Sequence, residues 1–327
     1  MSAEEFLANC ELVFRAVRSV GLEPLQREVG RLVLGTAKWT QAERGRAQEL
    51  AEAFLELGGS VFDTGRAYGE SEGVLAACVG DRREDAVILT KAAHHDRASE
   101  GGGPLARRVT PAAIAADLDE SLATLGTERV EILMLHRDDP SKPVGPILEA
   151  LEEHCRAGRI GSYGASNWTT ARLDEAARYA AEHGLAGFTS SSVHLSLAEW
   201  TEPPWPESLG ARDPDSLAWY ERTRTPLFAW SPAAAGLFAG AADADVARVF
   251  ETPANRERRW RAGELAARLR ATPTQVALAW VLHRPFPTFP IVGPRTVAEL
   301  EESAGALDLE LTDDDLAFLD SSGASGS

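Results

Sequence analysis

The chain has 327 residues, of which 44% are apolar and 25% charged, and its formal net charge is −17. These proportions allow a large buried core, and the acidic balance argues against a nucleic-acid-binding surface. No apolar run approaches the roughly 20 residues of a membrane span, and the acidic start at residues 1–5 does not read as a signal peptide.

In chain order, residues 3–18 place Leu7, Cys10, Phe14 and Val17 at helical spacing, which predicts an extra amphipathic helix within residues 1–20. Short apolar runs then recur at 32–35, 60–63, 86–91, 131–136, 160–166, 187–192, 226–230 and 289–292. Near-continuous apolar runs are what parallel strands buried on both faces require. Helical patterns fill the intervals at 42–57, 70–79, 111–125, 144–157, 169–182, 214–222 and 257–282, the last long enough for two helices. Another follows at 296–306. Thr110-Pro111 and Thr272-Pro273 put a capping hydroxyl before a proline at the first helical position. Thr312 precedes three aspartates whose charge suits the start of a last helix.

Eight strand–helix alternations predict a (β/α)8 TIM barrel rather than an open sheet. No Pro/Gly-rich linker divides the chain, so residues 1–327 read as one domain, with 321–327 a flexible tail. Long segments at 92–109 and 197–213 follow strands and are expected over the barrel mouth. Cys10, Cys78 and Cys155 are far apart, without metal-ligand spacing, and suit a reducing compartment. A cytoplasmic protein with no membrane or nucleic-acid partner is expected, its oligomeric state open. His94-His95-Asp96 has no companion ligand motif, so no metal is expected.

Asp63, Lys91 and His136 each end an apolar run, and Tyr68 lies five residues past Asp63. Strand ends gather at one mouth of a barrel, where chemistry is built. A free tyrosine has a pKa of about 10 and is a weak acid at neutral pH. An adjacent ammonium lowers that pKa, and a carboxylate holds the ammonium in place. The set therefore predicts Tyr68 as general acid, Lys91 tuning it, Asp63 anchoring Lys91 and His136 orienting a carbonyl oxygen. Taken singly, a strand-end Lys or Asp is as readily a structural ion pair as a catalytic group, and a lone His136 more often a core histidine; four such groups at three successive strand exits favour chemistry.

The segments 62–72, 89–91, 133–140 and 158–168 together resemble the aldo-keto reductase superfamily, and His136-Arg137-Asp138-Asp139-Pro140 resembles its bacterial members. The resemblance runs from about residue 32 to 319. It implies a barrel binding an extended nicotinamide cofactor, with Asp63, Tyr68, Lys91 and His136 as catalytic tetrad. It further implies cofactor contacts from Thr36, Asp63, Ser166, Asn167, Ser192 and Trp230, from the loop residues Ser231, Pro232, Ala233 and Gly236, and from Arg295 and Ser303. Trp230 occupies the ring-stacking position, and Arg295 that of a 2′-phosphate contact, which favours NADPH over NADH.

The chain departs from the family pattern at four places, one of them Glu302-Ser303, which stands where a Glu-Asn pair is frequent. Ser192 stands where a glutamine is usual, Glu299 is a carboxylate near the expected 2′-phosphate, and Gly65 replaces an alanine. Trp39, His94 and Trp168, with Trp200, are expected to line a substrate pocket suited to sugars or oxygenated natural products. The reading is a reversible NADPH-dependent reductase of aldehydes or ketones. The alternatives are a Schiff-base lyase using Lys91 and a non-catalytic, cofactor-binding redox sensor.

Overall fold

The computed structural model describes residues 19–22, 25, 27–95 and 106–321. The helix expected at 3–18 lies outside these, as do residues 322–327. Residues 19 and 20, placed in that N-terminal helix, instead begin a strand. Strands β1 (Ser19–Leu22) and β2 (Arg27–Gly30) form an antiparallel hairpin that the sequence reading did not anticipate.

The next eight strands are β3 (Val33–Gly35), β4 (Val61–Asp63), β5 (Val87–Ala92), β6 (Val130–Leu135), β7 (Ile160–Ser166), β8 (Ser191–Ser192), β9 (Leu227–Trp230) and β10 (Thr288–Val292). They close into a parallel barrel in sequence order, with β10 paired to β3. The expected barrel is thus present. The strand foreseen at 187–192 shrinks to two residues, Gly187 being at φ 75°, outside the strand region. Between β7 and β8 the approach is close: a Cβ on Gly164 would stand 2.6 Å from Ser190 Oγ. The stretch foreseen at 257–282 is two helices, Pro253–Leu269 and Pro273–Leu282, the second opened by a capping box of Thr272 and Gln275. A short helix at Ala244–Phe250 was not foreseen.

Alternation decides which side chains enter the barrel. Val33, Val61, Val87, Leu89, Ile132, Met134, Phe228, Phe289 and Ile291 form the inner apolar cluster. Phe228 and Phe289 stack within it, with ring centroids 4.8 Å apart. Burying an aromatic of this size contributes about 1.5–3 kcal/mol. Leu25 and Val29 of the hairpin pack on the same cluster, and Gly30 N donates to Ser60 Oγ at the start of β4. The hairpin therefore closes the barrel floor and leaves the opposite, C-terminal end as the mouth. The intervening residues, among them Leu34, Phe62, Ile88, Leu133, Leu135 and Ala165, join the larger cluster shared with the helices.

Candidate active site

Two-residue spacing carries three of the four expected residues into the barrel. Asp63 stands two residues past the inward Val61, Lys91 two past Leu89 and His136 two past Met134. Each continues its strand's inner row one step above the apolar floor. Tyr68 arrives on the turn Arg66–Tyr68 that follows β4.

All three strand-end groups are at least 95% buried. The Lys91 ammonium donates to Asp63 Oδ1 and, at 2.9 Å, to the Thr64 carbonyl. It lies 4.9 Å from the centroid of the Tyr68 ring. Tyr68 meets His136 edge-on with centroids 5.3 Å apart, and His94 meets His136 at 4.6 Å. The structure brings Asp63, Tyr68, Lys91 and His136 together, with His94 beside them.

Burial pushes the Asp63 carboxyl up, against the pull of Lys91. Burial also opposes the charge on Lys91, but Asp63 and Tyr68 outweigh it and hold the ammonium above its ordinary value. Each charge of the pair thus favours the other against the burial that opposes both. Tyr68 corrects the sequence expectation: burial raises its pKa, and Lys91 offsets only part of the rise. The phenol thus keeps its proton throughout the neutral range. His136 is driven well below its usual pKa by burial and then by Lys91, Arg137, His94 and His95, so its ring is neutral. Its Nδ1 is buried without a hydrogen-bond partner among the described residues.

Asp117 supports the turn that delivers Tyr68, and the sequence reading missed it. From the helix Pro111–Leu125 it accepts from Arg66 Nε at 2.7 Å, from both Arg108 Nη atoms at 2.8 and 2.9 Å, and from Ala93 N at 2.8 Å. Burial pushes Asp117 up, but these donors outweigh it and hold its pKa below the usual value. A carboxylate on the apolar face of a helix, between Ile114 and Leu118, was the available signal.

Over the mouth, Glu207 ties two loops together, accepting from Arg107 at 2.6 Å and meeting His95 Nε2 at 2.7 Å. Beyond it His194 stacks on Trp200 at 4.5 Å, and Trp230 lies 5.0 Å from His194 and 5.7 Å from Trp205.

The residues expected to hold a cofactor fall into two groups. Ser166, Ser192 and Trp230 stand on adjacent strand ends, Ser166 in register with Ser192. Ser192 Oγ and Trp230 Nε1 are buried and have no hydrogen-bond partner among the described residues. Asn167, at φ 58°, donates to Ser166 Oγ at 3.0 Å and accepts from Leu209 N. After β9, Ser231, Ala234 and Ala235 have φ between 50° and 54°, and Gly236 has φ 91°. Left-handed backbone at three non-glycine residues in so short a loop costs about 1–3 kcal/mol each, a strain associated with ligand-holding loops. Pro232 and Ala233 belong to the same loop. Buried polar atoms without partners beside a strained loop fit an amide-bearing ring and a diphosphate.

Elsewhere the surroundings differ from expectation. The Thr36 hydroxyl is buried and engaged with the Asp63 carbonyl at 3.0 Å and Ser71 Oγ at 2.6 Å, so it braces the β4 exit. Ser303 Oγ is engaged with the Glu299 carbonyl within its own helix. Trp168 is 1% exposed; its indole donates to the Arg137 carbonyl and packs against Phe188 and Arg172, so it is wall rather than pocket lining. Trp39 is likewise buried in the outer cluster. Arg295 is exposed and paired with Glu299 at 3.2 Å, while the other Glu299 oxygen accepts from Arg295 N. The carboxylate thus occupies the helix start where an anion would bind. A Cβ on Gly65 would make ordinary contact, at 3.4 Å, with Lys91 and Tyr68.

Among known proteins, the model of the Aldo/keto reductase family matches residues 31–324. An uncharacterized oxidoreductase of Bacillus subtilis, YrpG, is 29% identical, covering 89% of this chain and 91% of that protein. A norsolorinic acid reductase of Emericella nidulans is 27% identical over 88% of this chain and 76% of its own length. Among solved structures, an aldo-keto reductase from Klebsiella pneumoniae, in complex with NADPH, superposes with a TM-score of 0.70 at 23% identity, covering 90% of this chain and 91% of that one. The family match spans most of the barrel and its mouth, and the chain belongs to the aldo/keto reductase family.

Proposed function

We propose that the chain is an NADPH-dependent reductase that interconverts an aldehyde or ketone with the corresponding alcohol, with Tyr68 as general acid. The observation that carries this reading is the buried Lys91–Asp63 pair beneath the Tyr68 ring, with a neutral His136 edge-on to it. NADPH, when bound, supplies a hydride to the carbonyl carbon. Ser166, Asn167, Ser192, Trp230 and the 231–236 loop would hold it.

The protein's own contribution is control of one proton. Tyr68 keeps that proton at Oη until negative charge develops on a substrate oxygen. Lys91 then favours the phenolate that remains, because opposite charges attract strongly where water is excluded. Neutral His136 offers a ring N–H to the same oxygen without adding a charge. The lyase alternative needs an uncharged amine on Lys91. Asp63 and Tyr68 favour the ammonium and so weigh against it.

Titration with NADPH and then NADH, followed by tryptophan fluorescence, tests the cofactor reading. Saturable quenching is expected, with NADPH the tighter ligand. Absence of quenching by either would remove the reading.

A further inference from the structure

Arg137 follows His136 directly and takes no part in the tetrad chemistry. It is only 7% exposed. Among the described residues its side chain makes a single hydrogen bond, from Nη1 to the His136 carbonyl at 2.9 Å, and it forms no ion pair. Its Nε is buried without a hydrogen-bond partner among those residues.

The carboxylates around it are already engaged. Asp138 pairs with Arg172 at 3.3 Å, and Asp139 accepts from Ser141 Oγ at 2.7 Å and faces Arg107 at 3.7 Å. Glu207, whose charge reaches Arg137, is held by Arg107 and His95. A guanidinium cannot shed its proton, and a buried charge without a counter-ion is costly. The fold nevertheless keeps one here, and its charge is felt at both Tyr68 and His136. Lys91, the other buried cation of the site, has its counter-ion in Asp63 and donates also to the Thr64 carbonyl.

We infer that Arg137 anchors an anionic group of the substrate, so that this enzyme's carbonyl compounds carry a carboxylate or an equivalent charge near the reacting carbonyl. The inference rests on the carbonyl-reductase reading and replaces the sugar-like class that the tryptophans suggested. The guanidinium fork matches a carboxylate in geometry, and such charge-assisted bonds are about twice as strong as neutral ones. Arg137 is then a specificity determinant, distinct from the proton donor Tyr68 and from the His136 it adjoins.

The test compares para-carboxybenzaldehyde with para-nitrobenzaldehyde, which are alike in size and differ in charge; their unequal intrinsic reactivity cancels when the ratio is compared between variants. With NADPH, the ratio of their kcat/KM values is measured in the wild type, Arg137→Gln and Arg137→Lys. The carboxy-over-nitro ratio is expected to fall between about 10- and 150-fold in Arg137→Gln, the worth of one hydrogen bond to a charged group. Arg137→Lys is expected to recover part of it. An unchanged ratio in Arg137→Gln overturns the inference. Should that variant not fold, benzoate and benzamide binding to the wild type decides the matter. Tighter, salt-sensitive benzoate binding supports the anchor, and equal binding overturns it. Selective benzoate binding without turnover of any aldehyde would sink the reductase reading and leave the anchor standing. Reduction without charge preference would do the reverse.

Discussion

The Lys91 ammonium lies 4.9 Å from the centroid of the Tyr68 ring while it is bound to Asp63. One buried charge thus links the ends of β4 and β5 to the turn between Arg66 and Tyr68. Removing one member leaves the other charged and unpaired, which costs about 3–5 kcal/mol. Asp63→Asn is therefore expected to lower unfolding stability by that amount in urea titrations. The double variant Asp63→Asn/Lys91→Met is expected to regain much of the loss. A single-variant cost below about 1 kcal/mol would place the pair in water rather than in the barrel.

Asp117 holds Arg66 and Arg108 at once, and so ties the Tyr68 turn to the segment after β5. Asp117→Asn is expected to cost about 3 kcal/mol, within the range for breaking a buried pair, and to lower kcat more than cofactor affinity. Because its native pKa is depressed, its contribution is present above the ordinary carboxylate value and lost as pH falls below it. The variant should therefore show a shallower loss of stability in acid. An acid profile identical to the wild type would show that Asp117 is not the strut described.

His194 is buried against Trp200, and its pKa is lowered to about 3, first by burial and then by Arg212. Its unfolded value is about 6.5, so the unfolded chain binds the extra proton as pH falls through that value. Stability contributed by the neutral ring is complete above about pH 6.5 and is reduced by about 2 kcal/mol at pH 5. His194→Asn is expected to flatten this slope in denaturation curves at the two pH values. Parallel slopes in wild type and variant would count against a neutral buried ring.

Glu299 fills the position where the 2′-phosphate of NADPH is expected to meet Arg295. In Glu299→Gln, NADPH should bind roughly 3- to 10-fold more tightly, the effect of removing one repulsive charge at a solvent-exposed site. NADH affinity should be nearly unchanged. Equal gains for both cofactors would move the phosphate away from Arg295.

The barrel and the placement of Asp63, Lys91 and His136 at its mouth were legible because both depend on local pattern. Asp63, Lys91 and His136 continue the two-residue alternation of their own strands, so their direction is set by neighbours visible in the sequence. The hairpin was not legible: Arg27–Gly30 is four residues long and acquires meaning only when Val29 meets the barrel floor. Trp168 was misplaced because an indole after a strand looks like pocket lining, and only the distant Arg137 carbonyl reveals its role. The internal partners of the Thr36 and Ser303 hydroxyls were hidden for the same reason, since a hydroxyl's partner is chosen in three dimensions. Asp117 and Arg137 differ in kind: their identities were visible, but which charges surround them depends on segments far apart in the chain.

The most direct test of the account is the rate of carbonyl-dependent NADPH oxidation by the wild type and by Tyr68→Phe, measured beside NADPH quenching in both. The expected result is turnover of an aldehyde by the wild type and a loss of about 10²- to 10⁴-fold in the variant, the scale of general acid catalysis. Quenching should be retained in both. Equal turnover in Tyr68→Phe would contradict the assignment of the proton to Tyr68, and with it the central claim.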